Sequence, residues 1–117
     1  MTQEFNSYKS GLWAEFIARM YLRIHGFHII NRRYTTGRNT GRAEIDIIAK
    51  RKNLLLFIEV KYRHDVIAGL DAITPAQSVR LRRAAETYIA RAHWNGDARF
   101  DAIVVTGHKI RWIRGII

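Results

Sequence analysis

The chain has 117 residues, 48% of them apolar, with one proline, no cysteine, and 20 Lys+Arg against 10 Asp+Glu for a formal net charge of +10. This length suits one domain with its own core, expected over residues 1–117, and the composition is globular rather than disordered. Without cysteine a disulfide framework, a thiolate zinc site and a cysteine nucleophile are excluded, while the basic excess points to a polyanionic partner, nucleic acid before an anionic membrane surface.

In chain order, the opening MTQEFNSYKSGLW has no apolar h-region. The longest apolar run, Leu54 to Ile58, is far below the ~20 residues of a membrane-spanning helix, so the cytoplasm is the expected compartment and no membrane partner is expected. Leu12, Trp13, Phe16, Ile17, Met20, Tyr21 and Ile24 recur at helical spacing and predict a helix from Tyr8 to His25, stopped by Gly26. Three strands follow, Phe27 to Tyr34, Ala43 to Lys50 and Leu54 to Tyr62. The cluster Gly37, Asn39 and Gly41 separates the first two, and a tight turn at Arg51 and Lys52 joins the second and third as an antiparallel hairpin. Thr74 and Pro75 read as an N-cap and first-turn proline of a second helix, with Val79, Leu81, Ala84, Ala85, Tyr88 and Ile89 as its buried side and an end near Trp94. Phe100 to Thr106 and Lys109 to Ile113 complete the strands around Gly107 and His108. The expected order α-β-β-β-α-β-β describes an α/β domain with a mixed central sheet between helices.

Acidic residues are scarce, so their placement is informative. Glu44 and Asp46 interrupt the strand AEIDIIA, and Glu59 and Lys61 interrupt LLLFIEVKY. Strand alternation puts Glu44, Asp46 and Ile48 on one face, Ile45, Ile47 and Ala49 on the other, and groups Leu55, Phe57, Glu59 and Lys61. With Arg51 and Lys52 as a two-residue turn, position 46 lies opposite 57 and 44 opposite 59, making Asp46 and Glu59 diagonal neighbours. Two carboxylates ~5 Å apart repel by roughly 3 kcal/mol at an effective dielectric near 20. A shared proton, the ammonium of Lys61 or a divalent cation offsets such repulsion. Carboxylate oxygens suit Mg²⁺ or Mn²⁺, which complete their shell with water and substrate phosphate. A basic protein with this cluster has the parts for metal-assisted phosphodiester hydrolysis, with Lys61 orienting the nucleophile or stabilising developing negative charge. Alone, an acid-x-Lys triplet on a strand is more often a solvated face. The weight comes from Asp46 and Glu59-Val60-Lys61 together, both inside apolar strands of a basic chain.

These residues carry a resemblance. IDIIA and FIEVKYR, preceded by AEFIARMYLRIHGF and followed by RFDAIVV, resemble the YraN family of small bacterial proteins over nearly the whole chain, from Gly11 to about Val105. That family is grouped with predicted endonucleases of the restriction-endonuclease-like PD-(D/E)XK superfamily, related to Holliday-junction resolvases. The resemblance implies a three-layer α/β/α fold, Asp46 and Glu59 as metal ligands, Lys61 as the catalytic lysine and Glu15 as a further acidic member of the site. It departs from the family pattern at Ala14 and Ala43, where glycine is common, and at Gln77-Ser78, where lysine followed by glutamine is frequent. Gln77 becomes a candidate because related nucleases use a residue near this position. On the helical wheel Glu15 lies opposite the Trp13, Ile17, Met20 and Ile24 stripe, which favours solvent, although Ala18 and Leu22 form a small second apolar side beside it.

Basic residues supply candidate nucleic-acid contacts. Arg32, Arg33, Arg38 and Arg42 flank the Gly/Asn/Thr loop, Arg80, Arg82 and Arg83 lie near the second helix start, and Arg63 directly follows the Glu-Val-Lys strand. The five histidines have no zinc-ligand spacing, and Trp13, Trp94 and Trp112 read as core or interface aromatics. The ending Lys109 to Ile113 alternates like an edge strand. The leading expectation is a Mg²⁺- or Mn²⁺-dependent DNA endonuclease, with branched, Holliday-junction-like DNA among its candidate substrates and a homodimer as the assembly that would cut two strands symmetrically. The alternative is a nucleic-acid-binding module of the same fold without turnover; charge alone does not distinguish DNA from RNA.

Overall fold

The computed structural model describes residues 3–37, 42–107 and 109–117. Eight elements succeed one another: α1 (Gln3–Ile24), β1 (His28–Thr36), β2 (Ala43–Arg51), β3 (Leu54–Tyr62), α2 (Val66–Asp71), α3 (Pro75–Ala92), β4 (Asp97–Val105) and β5 (Ile110–Ile113). The strands form one sheet in the order β1-β2-β3-β4-β5, antiparallel except for the parallel β3–β4 pair, whose crossover carries α2 and α3. The expected α/β architecture with a mixed central sheet is the one observed.

Local signals account for most boundaries. Gly26 ends α1 in the left-handed region at φ 87°. The Thr74 side chain accepts from the N–H of Gln77, with Pro75 at the first helical position, and His93 closes α3 at φ 52°. Helix α2 has no counterpart among the expected elements, since six residues are too few to show a period. Its cap is local, the Asp65 carboxylate accepting from the N–H of Ala68 at 2.7 Å. Gly69 lets it lie against β4, where a Cβ would stand 2.6 Å from Cγ1 of Val104.

The core has two halves, one on each face of the sheet. Ala14, Ala18 and Leu22 of α1 pack with Ile47, Ala49, Leu56, Ile58, Val60, Ile103 and Val105. On the other face Leu81, Ala84 and Ala85 of α3 pack with Ile45, Ile48, Leu55, Phe57 and Phe100. This corrects three expectations. The larger stripe of α1 is not its buried side: Leu12, Trp13, Phe16, Met20 and Ile24 are exposed, and the small second side holds the helix to the sheet. Small side chains there let a helix backbone approach a flat surface. Val79 of α3 is likewise exposed. Strict alternation fails in β2, because Ile45 and Ile47 belong to opposite cores.

The hairpin differs by one residue. Arg51 pairs with Leu54 and Ile47 with Ile58, so Lys52 and Asn53 form the turn, with Lys52 at φ 54°. Sliding the turn one position shifts the register by two, which preserves the shared face and moves Asp46 from a diagonal position to one directly in line with Glu59. No helix among the described residues is long and apolar enough to cross a membrane.

Candidate functional site

The site lies where β2 and β3 part. Their pairing runs from Arg51↔Leu54 to Ile47↔Ile58; next, the N–H of Val60 donates to Oδ2 of Asp46 at 2.7 Å. A side-chain carboxylate stands where another ladder carbonyl would continue the pairing, which opens the sheet beside Asp46. On the other side of β2, Arg33 occupies the left-handed region at φ 55° between the pairs Arg32↔Ile47 and Tyr34↔Ile45. Arg33 thus lies across from Asp46, at the point where β2 switches the core it faces.

Around this opening Glu15, Asp46, Glu59 and Lys61 line one cleft of about 290 Å³, together with Arg42, Gln77 and Arg80. Glu59 is 3% exposed. Its Oε2 accepts from Nε2 of Gln77 at 3.0 Å and lies 3.3 Å from Nζ of Lys61. Asp46 has its pKa pushed up from 3.8 to about 9, first by burial and then by its hydrogen bond with Glu59 and the charge of that carboxylate. Burial, and next the charge of Asp46, also raise the Glu15 carboxyl, opposed by Arg33, whose Nε donates to Oε1 of Glu15 at 3.2 Å. Arg42 stands 4.0 Å from Oε2 of Glu44.

The donor set fits a hard divalent cation. Burial and the neighbouring Glu59 carboxylate both push the Asp46 carboxyl toward its protonated form, and a bound cation would offset the same cost. Among the described residues no group of three or more His, Cys, Asp and Glu forms a ready cage. The residues that could hold an ion here are Asp46 and Glu59, within the one or two carboxylates that Mg²⁺ usually takes from a protein.

The cleft gathers Glu15, Asp46, Glu59, Lys61, Arg42, Gln77 and Arg80, and it does not include Arg63. The Arg63 guanidinium donates to the carbonyl of Tyr62 at 2.7 Å and lines a separate depression with His64 and Gly107. The end of β3 explains this: alternation would put Arg63 on the face of Lys61, but the strand stops at Tyr62. Arg38 lies outside the described residues, as do Asn39, Gly41 and His108. Sequence reasoning missed Arg33 as a partner of Glu15, because only its left-handed backbone turns it toward α1. It also passed over Asp101, an acid inside an apolar strand that is fully buried beneath Arg99 and Trp112. The signal that picked out Asp46 was present there too.

Residues 14–105 match the protein family whose description reads "Uncharacterised protein family UPF0102". A UPF0102 protein of Paramagnetospirillum magneticum is 34% identical over 104 residues, covering 87% of this chain and 81% of its own length. Another, from Rhodopseudomonas palustris, is 39% identical over 101 residues, covering 85% and 75%. A third, from Shewanella frigidimarina, is 38% identical over 110 residues, covering 91% and 96%. The matched span contains every residue that lines the cleft.

Proposed function

This chain belongs to the UPF0102 family, and we propose that it is a Mg²⁺- or Mn²⁺-dependent endonuclease that hydrolyses phosphodiester bonds of DNA, in the manner of the PD-(D/E)XK superfamily that its strand motifs resemble. The observation that carries this reading is the adjoining Asp46 and Glu59 pair, with the Lys61 ammonium 3.3 Å from Glu59, in a cleft that also holds Arg42 and Arg80. A divalent cation, when bound, supplies charge that polarises a phosphoryl oxygen and eases the deprotonation of water.

The chain's own groups have distinct parts in this scheme. Asp46 and Glu59 hold the cation, and Gln77 fixes the Glu59 carboxylate by its 3.0 Å hydrogen bond. Lys61 orients the attacking water and stabilises charge developing on the phosphate. Glu15, tethered by Arg33, adds negative charge beside Asp46. Arg42 and Arg80 bind phosphates flanking the scissile bond. Branched DNA is the first substrate to try, because the resemblance includes Holliday-junction resolvases.

The competing reading is a nucleic-acid-binding module of the same fold without turnover, and the departures from the family pattern at Ala43 and Gln77-Ser78 favour it. One experiment separates the two. Branched, single-stranded and duplex DNA are incubated with protein and each metal, using the wild type, Asp46→Ala and Lys61→Ala. Metal-dependent cutting lost in both variants is the expected result. Cutting that survives either substitution refutes these roles, while salt-sensitive DNA binding without any cutting supports the module.

A further inference from the structure

Because Ala14, Ala18 and Leu22 hold α1 to the sheet, its larger side chains point outward: Trp13, Phe16 and Met20 are 47%, 49% and 40% exposed. Spaced three and four residues apart, they form one line along the helix. Guanidinium groups sit on that line. Arg19 lies over the Phe16 ring at 5.9 Å, and Arg23 donates to Sδ of Met20 at 3.7 Å. The Arg19 pKa is lowered by burial first and then by the charge of Arg32 on β1, with Arg23 and Arg33 adding to the effect and Glu15 opposing it.

The row ends on the turn of α1 that also carries Glu15. Trp13 meets the ring of Tyr62 edge-on, with centroids 5.9 Å apart and planes at 86°. Tyr62 directly follows Lys61 in β3 but lines the separate depression beside Arg63, whereas Glu15, on the same turn of α1 as Trp13, lines the cleft from the other side of the helix. An exposed aromatic row beside a row of like charges therefore runs along α1 to the helical turn that reaches the cleft through Glu15.

Charge selects the occupant. Crowded guanidiniums in a chain of net charge +10 are complementary to a polyanion. A two-fold contact between copies through this face would bring Arg19 and Arg23 toward a second set of the same charges. Exposed rings interleaved with arginines suit a single strand, whose bases present open faces for stacking; a duplex keeps those faces inside its stack.

We propose that the outer face of α1 binds an unpaired DNA strand, with Trp13 and Phe16 stacking on its bases and Arg19, Arg23 and Arg32 holding its phosphates, and leads that strand to the cleft. The delivery to a cutting site rests on the nuclease reading; the binding of the strand does not.

Binding is measured by fluorescence anisotropy with labelled oligo(dT) and a duplex of equal length, in EDTA so that nothing is cut. Wild type is expected to bind oligo(dT) about tenfold more tightly than the duplex. Trp13→Ala and Phe16→Ser should each weaken oligo(dT) binding roughly 5- to 150-fold, as the loss of one stacked base does, with little change for duplex. Trp13→Phe, which keeps a ring, should retain most of the affinity. Arg19→Gln should weaken both ligands and reduce the salt slope by about one.

Unchanged oligo(dT) affinity in Phe16→Ser, whose side chain is half exposed and dispensable to the core, overturns the proposal. So does tighter binding of oligo(rU) than of oligo(dT). A wild-type dimer that Trp13→Ala converts to monomer in sedimentation assigns the face to a second copy instead, and vesicle binding by wild type to phosphatidylserine that Phe16→Ser abolishes assigns it to lipid. Strand binding that behaves as expected, with no cutting by the wild type in Mn²⁺, refutes the nuclease reading and leaves the strand site standing.

Discussion

Two acidic places in this sheet have the same appearance in sequence and opposite chemistry in space. Asp101 in β4 and the pair Asp46 and Glu59 in β2 and β3 all interrupt apolar strands. Asp101 is 0% exposed, and its two oxygens accept four hydrogen bonds, two from Arg99 at 2.8 and 2.9 Å, one from Nε1 of Trp112 at 2.8 Å and one from the N–H of Gly115 at 2.9 Å. One negative charge meets one positive charge, and the network ties β4 to β5 and the C-terminal residues. At the cleft two carboxylates meet one lysine and neutral donors, so the pair is balanced only while Asp46 keeps a proton. A satisfied buried carboxylate contributes structure, whereas an unbalanced pair invites a proton or a cation.

The largest expected effect breaks the satisfied side of this comparison. Asp101→Ala leaves Arg99 and the Trp112 indole without their acceptor, and a loss of about 3–5 kcal/mol is expected in urea denaturation. Glu59→Gln is expected to cost much less, because Asp46 can then release its proton and balance the Lys61 charge in place of Glu59; an equal loss in both variants would erase the distinction. Next in size is catalysis. Lys61→Ala should reduce cutting by about 10²–10³-fold with little change in unfolding midpoint, as removal of one charge-stabilising donor does in other active sites. A matching fall in stability would make Lys61 structural instead.

A finer cut is Trp112→Phe, which keeps the ring among Tyr21, His25 and Phe27 and removes only the N–H to Asp101. About 1.5–3 kcal/mol is the expected loss, the range for a hydrogen bond to a charged group. Counted per unit of pH, the smallest effect concerns titration. With its folded pKa raised from 3.8 to about 9, Asp46 keeps a proton in the native state that the unfolded chain has released. Stability of the metal-free protein should therefore fall as pH rises between those values, by at most about 1.4 kcal/mol per pH unit for one proton. Asp46→Asn should flatten that slope, measured as thermal midpoints from pH 5 to 8, and added Mn²⁺ should flatten it in the wild type. An identical slope in Asp46→Asn would show that the proton resides elsewhere.

Much of the fold is legible in the residues themselves. The bounds of β3, the Thr74 cap and Pro75 start of α3 and the stop at Gly26 follow from local chemistry, which acts over a few neighbours and needs no tertiary partner. Asp46, Glu59 and Lys61 were legible as candidates because charges within apolar strands are expensive to bury. Less visible was the face of α1 that packs. Hydrophobicity pointed to Trp13, Phe16 and Met20, but close packing on the sheet selected Ala14, Ala18 and Leu22 for their size. Nor could the pattern show that β2 turns over at Asp46, since the left-handed Arg33 across from it is a backbone state that many sequences resist.

By itself, then, the sequence determined the order of elements apart from the short α2, a basic chain of net charge +10, and which acids interrupt the strands. Only the tertiary structure decided that Asp46 and Glu59 meet while Asp101 is neutralised elsewhere, that Glu15 and Gln77 reach the cleft while Arg63 does not, and that the aromatic row of α1 faces outward. Local propensity depends on neighbours along the chain. The charge a carboxylate carries and the side of a helix that is buried depend on groups brought together from distant strands, and their distances are set by packing.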